Sequence, residues 1–474
     1  MVLDVNPAVG VNGFGGFRYG DNNVVFFNGN DGVTGNELWK SDGTAAGTVI
    51  VKDINSGLNS GSGAYESMVK LGSQYIFTAN EPLTGDELYV TDGTAANTSI
   101  LKNINPGSNS SYPNELLVFG NKVIFRASTD LTGRELWITD GTTVGTFELK
   151  DIYTGTSNGG PTYFTVLNGE VFFQAATNAE GYELWKTDGT SVGTILLKDI
   201  DTGLNNSTPS NFTNFGNKLL FQARTASNGN ELWITDGSTS GTTIVKDIEP
   251  GTGSSSPLSQ KALLNNKIYF SASTSTTGSE LWETDGTTLG TKLMLDINTG
   301  VNGSYPSNLI VANGFLYFTA DDGTNGTEVF KTDGTAAGTI MLAQISPSTG
   351  SSYANFLTLV GNTIYLTAND GTVGTELWKI ELPATGIINE LPELGIRLYP
   401  NPTKSNAFKL QFDALQAETA TITVTSISGQ IVYEEKLDNL PFLKQITLPE
   451  AALGCYFVKV ATDNGSVTKR LIVE

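Results

Sequence analysis

Short apolar runs separated by Gly, Asn, Asp and Thr recur along residues 1–381. Residues 116–152 show the pattern. Leu116–Phe119 is apolar and ends at Gly120-Asn121, and Lys122–Ala127 is a second run. A loop containing Thr132-Gly133 leads to Glu135–Thr139. Asp140-Gly141-Thr142 then begins a tight connection, and Thr146–Ile152 is the fourth run. Runs this short, bounded by residues that favour turns or accept positive φ, predict four antiparallel strands and no helix.

The same unit returns. Seven copies of ELW-x-x-DGT-x-x-GT, or close variants, begin at Glu37, Glu87, Glu135, Glu183, Glu231, Glu280 and Glu328, spaced 48 to 50 residues apart. An eighth, at Glu376, reads ELWKIEL and stops. All 6 Trp of the chain occupy one column, with Tyr89 and Phe330 in the two remaining places. A four-stranded unit of this length has the size of a propeller blade. The last copy ends after its third strand, at Ile380, while Val2–Pro7 reads like the fourth strand elsewhere, as in Leu149-Lys150-Asp151-Ile152. The expectation is an all-β chain: an eight-bladed β-propeller over residues 1–381, closed by its N-terminal strand. A stacked solenoid is the rival fold, but it requires atypical capping repeats. Each Trp is expected to wedge between neighbouring blades, burying roughly 150–250 Å².

Composition narrows the chemistry. Gly is 54 of 474 residues and only 16% are charged, which suits turn-rich β structure. There is no His, which removes every His-dependent triad and metal site. The single Cys455 excludes an intrachain disulfide or a Cys-rich zinc site. A net charge of −21 is the wrong sign for gripping nucleic acid or anionic lipid. No apolar run is long enough to span a membrane. The opening MVLDVNPAVG has neither a basic nor an apolar leader region and is read as a mature or fragment start.

Carboxylates recur in three columns: the Glu of ELW, the Asp of DGT, and the fourth-strand Asp4, Asp53, Asp151, Asp199, Asp247 and Asp296. A catalytic pair is needed once per protein, so repetition once per unit argues for a role in turns. No catalytic residue is assigned. Asn369–Thr372 and Asp321–Gly326 offer hard oxygens for Ca²⁺, but the spaced Asp pattern of an EF-hand is missing, and no metal ligand is assigned. The loops leading to each next unit are rich in Gly, Ser, Asn and Pro. Tyr112, Tyr305 and Tyr353 share one column there, and Tyr65 stands one place off. Exposed Tyr beside small polar residues suits stacking on sugar or gripping a protein. These four are the candidate ligand-binding residues, with packing on their own loops as the plainer alternative.

At these residues the chain resembles the ELWxxDGT-repeat family of bacterial secreted proteins, some with hyalin-type names. Its layout is also similar to TolB-like propeller repeats. The resemblance implies architecture and no shared activity.

Residues 382–395 carry two Pro and two Gly and read as a linker. Residues 396–474 hold eight basic and eight acidic residues and short alternating runs, predicting a small Ig-like β-sandwich. This segment resembles the C-terminal sorting domain of type IX secretion substrates. The matching residues are Tyr399, Pro400, Asn401 and Pro402, then Gly429, Gly454, Tyr456, Lys469 and Arg470. The resemblance implies the type IX machinery as partner, export across the outer membrane in the Bacteroidetes lineage, and surface attachment or release. The expected function is a secreted or cell-surface propeller that recognises glycan or protein through its loop face. Two alternatives stay open, a polysaccharide-active enzyme with Asp or Glu in the channel mouth and a purely structural scaffold.

Overall fold

The computed structural model describes residues 2–6, 13–21, 23–61, 67–347, 350–382, 396–403, 406–412, 419–426, 431–438, 443–448, 454–462 and 465–473. The linker, apart from Leu382, lies outside them, as do Tyr65 and Gly429. The described residues form strands and turns, with no helix. Two compact units are distinguished. One contains residues 1–357 and 367–377, the other 358–366 and 378–474.

Seven four-stranded antiparallel sheets follow one another along the repeats, each with its strands in sequence order. The third comprises Asn114–Phe119, Lys122–Thr129, Gly133–Thr139 and Phe147–Lys150. Its second and third strands pair without interruption from Val123↔Thr139 to Thr129↔Gly133. The fourth strand is shorter than the sequence pattern suggests. The register slips between Leu136↔Lys150 and Trp137↔Glu148, a bulge repeated at the same place in the other six sheets.

The second strand is buried on both faces because a sheet packs on each side. Val123, Phe125, Ala127 and Trp137 join Ile76, Leu88, Leu101 and Ile104 of the preceding sheet. Ile124, Leu136, Ile138 and Leu149 join Val171, Phe173, Ala175 and Trp185 of the following one. Alternation with period two thus serves two cores at once. At about 25 cal/mol per Å², a buried Trp contributes about 4–6 kcal/mol before entropy. The indole N–H groups of Trp39, Trp137, Trp185, Trp233 and Trp282 have no protein acceptor, so these residues act by size and shape.

The DGT-x-x-GT connection is built from hydroxyls. Asp140 Oδ1 accepts the Thr142 N–H at 2.9 Å and its hydroxyl at 2.7 Å, the fold of an Asx turn. Thr139 and Thr146 bond to each other at 2.7 Å while fully buried. The connection also ties sheets together. Lys52 Nζ donates to the Thr98 carbonyl of the next sheet at 2.7 Å, and Lys198 to that of Thr242 at 2.6 Å.

The eighth copy forms a three-stranded sheet of Asn355–Val360, Thr363–Asn369 and Thr375–Glu381. Val2–Asn6 is not a strand here, in contrast to the sequence expectation. Val2, Leu3 and Val5 instead share an apolar cleft of about 780 Å³ with Phe14, Phe17 and Phe27 of the first sheet.

Within residues 396–473, two sheets enclose one core. The first is Ile396–Tyr399, Ala407–Phe412 and Leu443–Thr447. The second orders Ile431–Leu437, Ala420–Ser426, Gly454–Thr462 and Gly465–Val473 side by side. Phe408, Leu410 and Ile446 from one sheet meet Ile422, Val424, Val458 and Leu471 from the other.

Candidate binding face

Each fourth strand is followed by a segment that crosses to the next sheet, and the Glu of ELW fixes it. Glu135 is fully buried. One carboxylate oxygen accepts the N–H groups of Ile152 at 2.8 Å and Tyr153 at 3.4 Å, and the other that of Gly159 at 2.5 Å. Glu87 likewise takes the amides of Ile104 and Asn105 and the Ser111 hydroxyl. Glu37, Glu183, Glu231 and Glu280 repeat the arrangement, and Glu328 takes the amides of Ile345 and Ser346. At Glu37, Glu87, Glu135, Glu183, Glu231 and Glu280 loss of water outweighs these bonds and favours the neutral acid. Burial pushes Glu37, Glu87 and Glu183 up to about 7 and Glu135 to about 8.

The other carboxylate columns are also engaged locally. Of the DGT aspartates, Asp42, Asp92, Asp140, Asp188, Asp236 and Asp285 are held below the usual carboxylate range by hydrogen bonds from the Thr or Ser two residues on. Just past the fourth strands, where the sequence pattern had placed them on the strand, Asp53, Asp151, Asp199, Asp247 and Asp296 each accept the N–H of the Gly four residues later, at 3.1–3.4 Å. In the candidate calcium loops, Asp322 accepts the amides of Thr324 and Asn325, and Asp370 those of Thr372 and Val373. Among the described residues no three His, Cys, Asp or Glu side chains group as metal ligands.

The crossing segments end in a shared backbone kink. Tyr112, Thr208, Ser256, Tyr305 and Tyr353 all have φ between +46° and +50°, and Gly160 takes +56° in the same column. A backbone bond holds the kink: Tyr305 N–H donates to the Ser279 carbonyl at 3.0 Å, and Thr208 N–H to that of Tyr182 at 3.1 Å. The bond needs no particular side chain. Even so, three of these places carry Tyr, whose left-handed backbone is disfavoured. Their rings reach solvent: Tyr112 is 39% exposed, Tyr305 69% and Tyr353 72%.

Three residues past this column, Glu115, Tyr163, Asn211, Asn308 and Phe356 on their first strands take a second left-handed position, with φ between +53° and +62°. Side chains near it link consecutive sheets in a chain of bonds. Glu115 accepts the Tyr163 N–H at 3.2 Å, Gln260 the Asn308 N–H at 3.0 Å, and Asn308 Oδ1 the Phe356 N–H at 3.2 Å. Tyr163 and Phe356 expose aromatic rings here, 49% and 69% accessible. Sequence reasoning missed both. Their signal was weak, since only these two copies carry an aromatic residue three places after the column, where the others have Glu115, Asn211, Ser259 and Asn308.

In the C-terminal sandwich, Asn401 Oδ1 accepts the Ile472 N–H at 2.8 Å, and Thr403 N–H donates to the Ile472 carbonyl at 2.8 Å. The Tyr-Pro-Asn-Pro segment, with cis bonds before Pro400 and Pro402, therefore docks along the final strand. Tyr399 is partly exposed and donates its hydroxyl to Gln411 Oε1 at 3.1 Å. Gly454 opens a strand, Tyr456 and Lys469 are buried, and the Arg470 backbone pairs with Phe457. Gly429 falls outside the described residues, and so does the Arg470 side chain.

Residues 397–474 match the model of the secretion system C-terminal sorting domain, here the type IX kind. The chain therefore carries an address for secretion or attachment to the cell surface, handled by the type IX machinery. No curated protein matches the chain. Among solved structures it is similar to a puromycin hydrolase at 13% identity and a TM-score of 0.35, covering 77% of this chain and 57% of that one. It is similar to a Mycobacterium tuberculosis puromycin-hydrolyzing peptidase at 11% and 0.37, covering 74% and 57%. It is also similar to Saccharomyces cerevisiae Sqt1 at 10% and 0.38, covering 76% and 93%. The chain spans little more than half the length of the two hydrolases, and likeness this slight carries no inference about activity. Among the described residues no helix is long and apolar enough to cross a membrane, which says nothing of β-barrels.

Proposed function

We propose that residues 1–381 form an eight-bladed β-propeller of the ELWxxDGT-repeat kind, displayed outside the cell, that binds glycan or protein at the end bearing its crossing loops. The observation that carries this reading is the Tyr column. Gly160 adopts the shared backbone kink without penalty, and Ser and Thr adopt it with a small side chain. Tyr305 and Tyr353 hold it with their rings largely in solvent and Tyr112 with its ring 39% exposed, which supports a role beyond packing on their own loops. Tyr163 and Phe356 add exposed aromatic surface three residues further on. Asn308 and Gln260 place amides near the second kink, and aromatic faces beside amides suit the flat and hydroxylated sides of a sugar.

The full chain, applied to a broad glycan panel with and without calcium, tests the reading. Selective binding is expected, lost in Tyr305→Ala and Tyr353→Ala with the thermal melt unchanged. Binding that survives both substitutions together with Tyr112→Ala refutes the assignment of the face. Silence across the panel from folded protein moves the reading to a protein partner.

A further inference from the structure

The sixth sheet departs from the others where its crossing segment meets its first strand. Four places after the kink column the repeats carry an apolar residue: Leu116, Phe164, Phe212, Leu309 and Leu357. The first four of these pack on the core shared with the preceding sheet. Strand pairing extends the column to the second and sixth sheets, where Met68 lies opposite Phe77 and Lys261 opposite Phe270. The sixth sheet has one residue more between kink and strand, so the column falls on Lys261, five places after Ser256.

The longer segment brings a substitute for the missing apolar group. Leu258 takes φ of +66°, disfavoured for Leu, and is fully buried with Leu220, Val245 and Phe270 in the core between the fifth and sixth sheets. Leu258 supplies the filling that the column supplies elsewhere, and the column position is released to a cation. Backbone strain at a single sheet of a repeated fold marks a place where function has displaced the pattern.

Lys261 is half-buried, and its ammonium donates to the Asn211 carbonyl of the fifth sheet at 3.0 Å. That carbonyl already accepts the Thr213 hydroxyl at 3.1 Å. In the fourth sheet, where the column holds Phe164, the Tyr163 carbonyl accepts the Thr165 hydroxyl at 3.4 Å. The backbone therefore does not require the lysine. Among the described residues no carboxylate forms an ion pair with it, and burial lowers its pKa below the usual lysine range. An ammonium drawn partly out of water with one neutral acceptor keeps N–H groups to give and gains most from an anion.

The lysine stands at the end that carries the exposed aromatic rings. Asn211 belongs to the second left-handed column, and neighbouring Gln260 accepts the N–H of Asn308, three residues past Tyr305. We propose that Lys261 is the anion-binding residue of the crossing-loop face. Its ammonium takes one oxyanion of the ligand, the carboxylate of a uronic acid or a sulfate ester on a sugar, while exposed Tyr305 offers its ring to the sugar plane. The inference rests on the binding-face reading and narrows the ligand to an acidic glycan.

Two experiments separate the inference from that reading. In the full chain labelled with ¹³C-lysine, the Lys261 signal is identified by its loss in Lys261→Met, a residue the same column carries at Met68. It is followed during titration with acetate and with methyl sulfate at constant ionic strength. A saturable shift confined to Lys261 is expected, and the anion that produces it at lower concentration identifies the acidic group. No shift with either anion, or one shared by the other lysines, overturns the inference whatever any glycan does. The oligosaccharide then follows the better anion: tetragalacturonate against its methyl ester, or a sulfated tetrasaccharide against its desulfated form. By calorimetry the acidic sugar should bind about tenfold more tightly or better. The preference should persist in Lys261→Arg and vanish in Lys261→Met with the thermal melt unchanged. Equal binding of both sugars by the parent protein overturns the inference and leaves the face standing. If Lys261 takes the free anion and neither sugar binds, the anion site stands and the glycan reading of the face falls.

Discussion

Glu135 sets two forces of similar size against each other. Three backbone N–H groups point at its carboxylate and favour the ionised form, while complete burial favours the neutral one. Burial wins, raising the group from an ordinary 4.5 to about 8. The unfolded chain titrates near 4.5, so folding favours the protonated acid. Its stabilising contribution is complete below about pH 4.5 and is lost as pH rises through about 8. A separation of that size corresponds to at most about 5 kcal/mol.

Glu135→Gln isolates this contribution, because the amide keeps the shape and one acceptor but does not titrate. Its NH₂ meets one of the backbone donors, costing about 1–3 kcal/mol. Urea unfolding of both proteins is followed from pH 5 to pH 8.5. At pH 5 the parent should be the more stable by about that amount, and the gap should close or reverse by pH 8.5. A gap in the parent's favour that widens with pH refutes the reasoning, because the amides then outweigh burial. Glu135→Ala leaves three donors without an acceptor and should cost about 3–6 kcal/mol at pH 5 and less at pH 8.5, because the alanine variant loses no stability through this titration.

Other substitutions probe other parts of the framework. Gly229 has φ of +63°, and a Cβ there would come 1.6 Å from the Gly253 carbonyl oxygen. Gly229→Ala should therefore lower the melting temperature steeply or prevent folding, whereas Gly251→Ala, with nothing within 4 Å, should cost about 1 kcal/mol for its positive φ. Trp137→Phe should cost less than about 3 kcal/mol in urea unfolding, since no hydrogen bond is lost, and a larger loss would show a hidden partner for the indole. Asn401→Ala removes the acceptor for Ile472 and should increase proteolysis of the last strand and reduce export. A reporter bearing a signal peptide and residues 382–474 should leave a type IX-competent host. Retention in the periplasm would count against the sorting role.

The strands were legible because every unit repeats the same arithmetic. The Trp137 column stays aromatic in all eight copies and the Phe125 column in the first seven, at nearly fixed spacing, and Asp140-Gly141-Thr142 specifies its turn through a side-chain oxygen that accepts the Thr142 amide and hydroxyl. The shortened fourth strand was not legible. Thr146 is compatible by pattern with extending it, but its hydroxyl is committed to Thr139 and to the Thr142 carbonyl. The Glu column was recognisable as structural from its repetition, yet its partners lie 17 to 24 residues away and no local pattern names them. Tyr163 and Phe356 escaped notice because the left-handed backbone that turns them outward is a consequence of pairing between sheets.

Repetition also indicates where a ligand is to be sought. A column that is invariant in seven units and buried, such as that of Glu135, is already committed to the fold, and altering it once disrupts one sheet. A column whose backbone is invariant but whose side chain varies from Gly160 to Ser256 to Tyr305 is different. There the fold fixes position and leaves identity free. Chemistry placed in such a column changes the surface without changing the scaffold. The Tyr column and the position three residues beyond it are columns of this kind with exposed aromatic residues. If the proposed face is right, Thr208→Tyr and Ser256→Tyr should be tolerated with little change in melting temperature, since both backbones already hold the angle that Tyr305 adopts. They should also strengthen binding of any ligand that Tyr305→Ala weakens. A large loss of stability in either variant would mean that the column is not free, and the case for the face would fall with it.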